Sequence, residues 1–432
     1  MSLTVILGEQ RGDEGKGRFV DMLAEEHDIV ARFNGGNNAG HTVVLPNSKV
    51  LKLHQVPSGI AHKNTINIIG NGTLLNPIKL VEEIKQILSQ GIEVSPKNLL
   101  VSSAVHLILP DHISADEIRE AGNGGQGSTK SGIAQVASDK YLRVGHRAEI
   151  FNQDPERLSK IIIDRLNQQS NLRKDLGLEA IDTEKIANEY RQCAEFLKPY
   201  VCDTVLFINE QIKTNPSVKI LAEGAQAFLL DIDHGMYPYT TSSSTTAGGV
   251  AVGIGVPPSK ITKVIGVIKA VQSHVGGGEF VTEITDEALL KKLHGDMSTV
   301  DAECGTTTGR IRRLGHLDLP IIKRAHMVNG TDYIAITKLD WVPRYGDEIT
   351  VCIGYKVADK TLEIAPATLN DIEPIYKKLP SWIEDITNVR KFEDLPQNAQ
   401  NYIHFIEDKT GVKVKYIGVG PAREQVIVRD DI

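Results

Sequence analysis

The feature that most constrains the fold stands near the N-terminus. An apolar run, Thr4 to Leu7, leads into Gly8-Glu9-Gln10-Arg11-Gly12-Asp13-Glu14-Gly15-Lys16-Gly17, and Phe19, Val20 and Leu23 then share one face of an amphipathic helix. Strand, glycine-rich turn and helix in succession are the unit of α/β architecture. The alternation continues. Strands are expected at Ile29–Phe33, Thr65–Ile69, Lys219–Ala222, Lys263–Ala270, Tyr333–Thr337, Thr350–Tyr355 and Val412–Ile417. Helices are expected at Pro77–Gln90, Pro155–Gln168, Thr183–Leu197 and Gln397–Thr410, the first capped by Asn76, opened by Pro77 and stopped by Gly91. No internal repeat, low-complexity tract or linker breaks the pattern. The expectation is an α/β protein, one large domain over 1–432 around a mostly parallel central β-sheet with a P-loop-like phosphate-binding loop.

The glycine turn itself points to chemistry. Backbone N–H groups, a helix N-terminus and Lys16 suit an anionic phosphate. Asp13 does not suit an anion, but it can hold Mg²⁺ or take a proton. Gln10 and Gly17 occupy positions where a Walker A motif requires glycine and a hydroxyl residue, so the turn is not that motif. A ligand-free strand-to-helix turn is the competing reading.

Composition narrows the field. A net charge of −7 argues against general nucleic-acid binding, so a phosphorylated ligand must be held by local basic groups. Cys193, Cys202, Cys304 and Cys352 are scattered, which suits reduced thiols rather than a metal site. With no signal-peptide pattern and no apolar run of the ~20 residues that span a bilayer, a cytoplasmic protein without membrane contact is expected.

Glycine-rich polar segments separate the elements at Asn34–Thr42, Ala121–Gly132, Glu223–Gly249, Val275–Gly278, Gly305–Arg313 and Gly418–Pro421. In parallel sheets ligands bind beyond the carboxyl ends of strands, so six such loops suggest an extended site for several ligands. His41, in Asn38-Ala39-Gly40-His41-Thr42, can donate to a phosphoryl oxygen as charge builds. Gln226 and the hydroxyl-rich run from Tyr237 to Thr246 suit a base edge, ribose or phosphate, or form only a polar surface loop. Thr306, Thr307 and Thr308 beside Arg310, Arg312 and Arg313 suit an anion. Thr337-Lys338-Leu339-Asp340 is similar to the guanine-reading Lys-x-Asp element of GTP-binding proteins.

Taken in order, these segments resemble the adenylosuccinate synthetase family, with the match running from Leu7 to Arg429. The resemblance implies a homodimeric α/β enzyme that joins IMP and L-aspartate with GTP hydrolysis and requires Mg²⁺. It implies Asp13 as the base, His41 as the acid, and Asp13 with the Gly40 carbonyl as the metal site. Gly12, Glu14, Gly15, Lys16, Gly17, Gly40, His41, Thr42, Arg312, Lys338, Asp340, Gly418 and Gly420 fall on the GTP positions. Asn38, Thr129, Gln226, Thr241 and Arg310 fall on IMP contacts, and Thr306, Thr307, Thr308, Arg310 and Arg312 on the aspartate loop.

The chain also departs from the family pattern. Arg11 stands where the family usually has Trp, Ile311 interrupts a run of arginines, and Gly418-Val419 replaces a hydroxyl pair near guanine. Lys130 to Ala137 differ from the usual Gly-Arg-Gly-Ile-Gly-Pro-Ala-Tyr. The chain then runs about four residues short after Asp139-Lys140, losing the stretch whose arginine reaches the partner's IMP phosphate; Arg143 and Lys130 are the candidate substitutes. Two other readings remain beside an IMP ligase: the same chemistry on a purine monophosphate such as GMP or dGMP, and a GTP-binding regulatory relative. The branch using the former usually carries a small residue in place of Asp13.

Overall fold

The computed structural model describes residues 1–45, 49–122, 129–295, 303, 311–430 and 432. Ten strands make the central sheet: β1 (Ser2–Gly8), β2 (Ile29–Arg32), β3 (Ile66–Ile69), β4 (Leu99–Ser102), β5 (Val201–Cys202), β6 (Lys219–Glu223), β7 (Lys263–Lys269), β8 (Tyr333–Thr337), β9 (Lys413–Gly418) and β10 (Val426–Val428). They lie in the order β10-β9-β8-β7-β1-β6-β2-β3-β4-β5. Every pairing is parallel except β9 with β10, which closes one edge. The expected mostly parallel sheet is what the chain forms.

Both faces of the sheet are covered. Leu3, Val5 and Leu7 of β1 pack with Ile29, Ile220, Val250 and Ile254 on one side. Ile6 packs with Phe19, Val20 and Ala24 of helix α1 (Lys16–Ala24) on the other. Strands buried on two faces carry continuous apolar runs instead of alternation, which is why they stand out in the sequence. Helix α2 (Pro77–Ser89) starts as expected, with the Asn76 side chain accepting from the Lys79 N–H at 3.1 Å. The helix opened by Pro155 continues to Asp175, beyond its expected end. Thr183–Leu197 and Gln397–Thr410 have the expected bounds.

Two differences have physical reasons. The strand expected at Thr350–Tyr355 spans Glu348–Val357 and lies outside the central sheet. Ala358-Asp359, with Ala358 at φ 50°, turns it back onto Lys360–Leu362, and Glu373–Pro380 pairs along it, both antiparallel. A tight hairpin forces antiparallel pairing regardless of how strand-like the segment reads. Helix Pro110–Ala121 was unmarked because Asp111, His112, Ser114 and Asp116 form its buried face, leaving no apolar stripe to detect.

Burial makes the fold acid-sensitive. His41, His106, His274 and His316 are each pushed down to about 4, in every case first by burial. A base whose pKa falls on folding contributes stability above its ordinary value of 6.5, and that contribution drains as pH falls to about 4. Burial also lowers His27 and His146, whereas Asp318, pushed up to about 6, and Glu83, also raised, have the opposite sign, so two acids stand against six bases. The urea midpoint is expected to fall between about pH 7 and pH 4.5. A constant or rising midpoint would contradict this balance.

Candidate active site

The sheet order brings together loops that are distant in sequence. The carboxyl ends of β2, β6, β1, β7, β8 and β9 stand side by side on one edge, where the glycine turn, the Asn34–Thr42 and Glu223–Gly249 segments, Lys338-Leu339-Asp340 and the Gly418–Pro421 segment begin. That is the ligand-binding edge of a parallel sheet.

At the end of β1 the chain passes through Gly12 (φ 92°), Asp13 (φ 56°) and Gly15 (φ 84°). Asp13 is a non-glycine residue held in the left-handed region, which aspartate tolerates better than most. Glu14 folds beneath the turn: it accepts the Gly12 N–H at 2.8 Å and the Lys16 ammonium at 2.7 Å, and both side chains of that ion pair are buried. A Cβ on Gly8 would lie 2.3 Å from Glu14 Oε2, so only glycine lets the carboxylate through. Gln10 exchanges two hydrogen bonds with the Lys269 backbone, and Thr337 donates to the Glu14 carbonyl at 2.7 Å. The turn is therefore braced from β7 and β8.

Glu223, the last residue of β6, lies directly across from Arg32 of β2 in register. Its wholly buried carboxylate accepts from Arg32 Nη2 at 2.9 Å, His41 Nδ1 at 2.5 Å, Ser58 Oγ at 2.6 Å and the Ser58 N–H at 2.9 Å. Burial opposes its ionisation, but Arg32 and these donors prevail and pull it down to about 2. An ionised Glu223 requires the hydrogen on Nδ1 of His41, which leaves Nε2 as the free ring position. Gly17 packs on this histidine, since a Cβ there would sit 2.8 Å from His41 Cβ. The glycine turn and the histidine loop are thus in contact.

The expected IMP residues are partly gathered. Asn34 exchanges hydrogen bonds with the Ala225 backbone at 2.8 and 3.1 Å, clamping two loops together. Gln226 (φ 58°) donates to Asn38 at 3.3 Å, and among the described residues Gln226 Oε1 and Thr241 Oγ1 are buried without hydrogen-bond partners. Thr129 is exposed and bonds Ser131. Arg143 is exposed at the left-handed end of helix Ile133–Leu142, and among the described residues no hydrogen bond or ion pair joins it to Asn38, Gln226 or Thr241. Thr306, Thr307, Thr308 and Arg310 lie outside the described residues, as does Cys304.

On the other flank, Arg312 Nε meets Asp13 Oδ2 at 2.9 Å and its Nη1 meets Glu303 Oε2 at 3.2 Å. Lys338 (φ 59°) holds its ammonium 3.5 Å above the Trp341 ring. Asp340 follows in the 3₁₀ turn Leu339–Tyr345. Gly418 ends β9, Val419 is fully buried in the apolar core, and Arg18 donates to the Gly420 carbonyl. Arg11 stacks its guanidinium 4.1 Å from the Phe280 ring and is lowered to about 10, chiefly by burial. A flat cation on an aromatic face is how an arginine fits a site where an aromatic side chain is usual.

Among the described residues no three His, Cys, Asp or Glu side chains form a metal cluster. A single carboxylate such as Asp13, which Arg312 meets at 2.9 Å, is the kind of hard oxygen donor that Mg²⁺ takes together with phosphate oxygens and water. It does not fit an all-protein cage of the structural zinc kind.

Sequence reasoning missed Glu223, Arg32, Ser58, Glu303 and Lys269. Arg32 and Lys269 did leave a signal, as charges near the ends of apolar strands Ile29–Arg32 and Lys263–Lys269. Glu223→Ala is expected to destabilise the protein by about 3–5 kcal/mol in urea unfolding, because Arg32 remains buried without its counter-ion. Loss of less than about 1 kcal/mol would show that Glu223 is not the charge holding Arg32.

A family model described as "Adenylosuccinate synthetase" matches residues 5–427. The chain is 42% identical over 443 residues to the adenylosuccinate synthetase of Clostridium botulinum (strain Alaska E43 / Type E3), covering 100% of both. The solved structure of fully ligated adenylosuccinate synthetase from Plasmodium falciparum superposes with a TM-score of 0.88 at 36% identity, covering 100% of each chain. A cyanophage S-2L succinoaminodeoxyadenylate synthetase, bound to dGMP and dATP, shares the fold at a TM-score of 0.61 and 19% identity, covering 99% and 95%.

Proposed function

The chain belongs to the adenylosuccinate synthetase family, and on that premise we propose that it joins IMP and L-aspartate with GTP hydrolysis, yielding adenylosuccinate, GDP and phosphate. The observation that carries the reading is the meeting of Asp13, Lys16 and the Glu223-held His41 around a single turn.

The C6 oxygen of IMP is a poor leaving group. Phosphorylating O6 converts it into a good one, which the aspartate amine displaces. In our reading Asp13 takes the proton from the hypoxanthine ring, making O6 the nucleophile towards the γ-phosphate. Phosphoryl transfer depends on alignment and charge neutralisation more than on covalent help. Lys16, steadied by Glu14, and the loop N–H groups of Gly15 and Gly17 supply donors for the phosphates, with Gly40 and Thr42 on the facing loop, while the Gly12 N–H closes the turn onto Glu14. The family uses a divalent metal, and we assign Mg²⁺, held by Asp13 and the Gly40 carbonyl, where it would neutralise charge on phosphate oxygens.

With a pKa lowered to about 4, His41 is neutral near pH 7. A phosphoryl group arriving at Nε2 brings negative charge that favours the protonated ring, so the histidine would take a proton from solvent onto Nε2 as the nucleotide binds and donate from there to the phosphoryl oxygen. Asn38, Gln226 and Thr241, with Thr129, Arg143 and Arg310, are assigned to IMP. Thr306, Thr307, Thr308, Arg310 and Arg312 are assigned to aspartate, and Arg312, Lys338, Asp340, Gly418 and Gly420 to GTP. The whole chain, 1–432, acts as one unit of a cytoplasmic homodimer in this reading. Among the described residues no helix is long and apolar enough to cross a membrane.

The test is direct. Purified protein with GTP, Mg²⁺, IMP and aspartate is expected to form adenylosuccinate, followed by absorbance. Phosphate release that ignores aspartate would refute the ligase reading, and product from dGMP but not IMP would move the acceptor. Asp13→Ala is expected to cost at least about 10²–10⁴-fold in kcat, the range for a lost general base, while GTP binding measured by calorimetry largely survives. Chelation should abolish turnover and Mg²⁺ restore it.

A further inference from the structure

One buried carboxylate outside the assigned residues joins three cations. Glu303 is 1% exposed, and its side chain lies 2.6 Å from Lys269 Nζ, 3.2 Å from Arg312 Nη1 and 3.5 Å from Lys338 Nζ. Burial opposes its charge, but Lys269, Lys338 and Arg312 in that order hold it down to about 2. Lys269 is itself buried and also bonds Ser273 at 2.7 Å. The backbone fixes the same carboxylate in place: Glu303 N–H reaches the His294 carbonyl at 3.3 Å, and Arg312 N–H reaches the Glu303 carbonyl at 3.0 Å.

The cations serve different flanks. Arg312 leads to Asp13, whereas Lys338 sits between Glu303 and the Trp341 ring, at 3.5 Å from each. Lys338 is also held at φ 59°, a backbone pose that lysine rarely adopts and that fixes where its side chain departs. Long flexible cations lose much of their geometric value unless something anchors them.

We propose that Glu303 is a positioning residue that aims Lys338 and Arg312 across a bound guanine nucleotide, and so sets the preference for guanosine triphosphate over a bare polyphosphate. The proposal rests on the assignment of Lys338 and Arg312 to GTP. Removing the carboxylate's charge raises the attraction for any polyanion, so affinity alone is ambiguous. A ratio of affinities cancels that general term.

The experiment compares a non-hydrolysable GTP analogue with inorganic tripolyphosphate, each titrated by calorimetry into the full-length protein. In Glu303→Gln the ratio of affinities is expected to fall about tenfold, the size of one charge-assisted hydrogen bond's worth of placement. Because Lys269 then lacks its counter-ion, the same ratio is measured in Glu303→Gln/Lys269→Met, where thermal stability should recover. A ratio still low in that stable double variant supports positioning. A ratio that returns with stability, or one unchanged in Glu303→Gln, overturns it, since Glu303 then only neutralises Lys269. Equal affinity of the unsubstituted protein for both probes overturns it as well. Adenylosuccinate formation is assayed separately, so a failed ligase reading would show there and not in the ratio.

Discussion

A carboxylate with no access to water, Glu223, sits where three parts of the site must agree. It ends β6, pairs across the sheet with Arg32, fixes the hydrogen of His41 and receives both donors of Ser58. A buried charge survives only when its lone pairs are filled, and here four donors fill them. The consequence is rigidity. The histidine cannot rotate without leaving Glu223 under-satisfied, and Glu223 cannot move without abandoning Arg32. His41 is therefore oriented in advance, with one ring nitrogen committed to the protein and the other free for chemistry.

The rest of the edge follows the same rule. Charged residues are held in internal pairs: Lys16 with Glu14, Lys269 with Glu303, Arg312 with both Asp13 and Glu303. Two of these carboxylates, Glu14 and Glu303, are buried, so their cations are placed by geometry that water cannot loosen. The backbone does the remainder. Left-handed residues at Gly12, Asp13, Gly15, Gln226 and Lys338 turn the chain sharply at three strand ends, and such strain persists where the surroundings over-determine it.

Much of this was legible in the chain. Two-sided burial makes β1, β2, β6, β7 and β8 read as largely apolar runs, whereas β9 carries Lys413 and Lys415 among its buried residues. Asp13 and His41 stood out because a carboxylate and an imidazole sit among glycines, where side chains are otherwise sparse. Glu223 did not, because its meaning depends on Arg32 and His41, which lie 191 and 182 residues away. Glu303 was invisible for the same reason: a lone glutamate carries no periodicity, and Lys269, at the end of β7, is 34 residues away. The strand expected near Thr350 forms, and its place outside the central sheet had no signal in the sequence, because a strand's pattern does not name its neighbour.

The sequence by itself determined the α/β class, the polar loops at the strand ends, the glycine turn with its Asp13 and Lys16, and resemblance to one ligase family. Each of these depends on local composition or on order along the chain. The tertiary structure decided which loops stand next to one another. Inserting β6 between β1 and β2 puts Glu223 beside Arg32 and within reach of His41, and placing β7 and β8 on the other side of β1 brings Lys269 and Lys338 to Glu303. Strand order is set by how crossovers pack over both faces of the sheet, a long-range property that no single segment encodes.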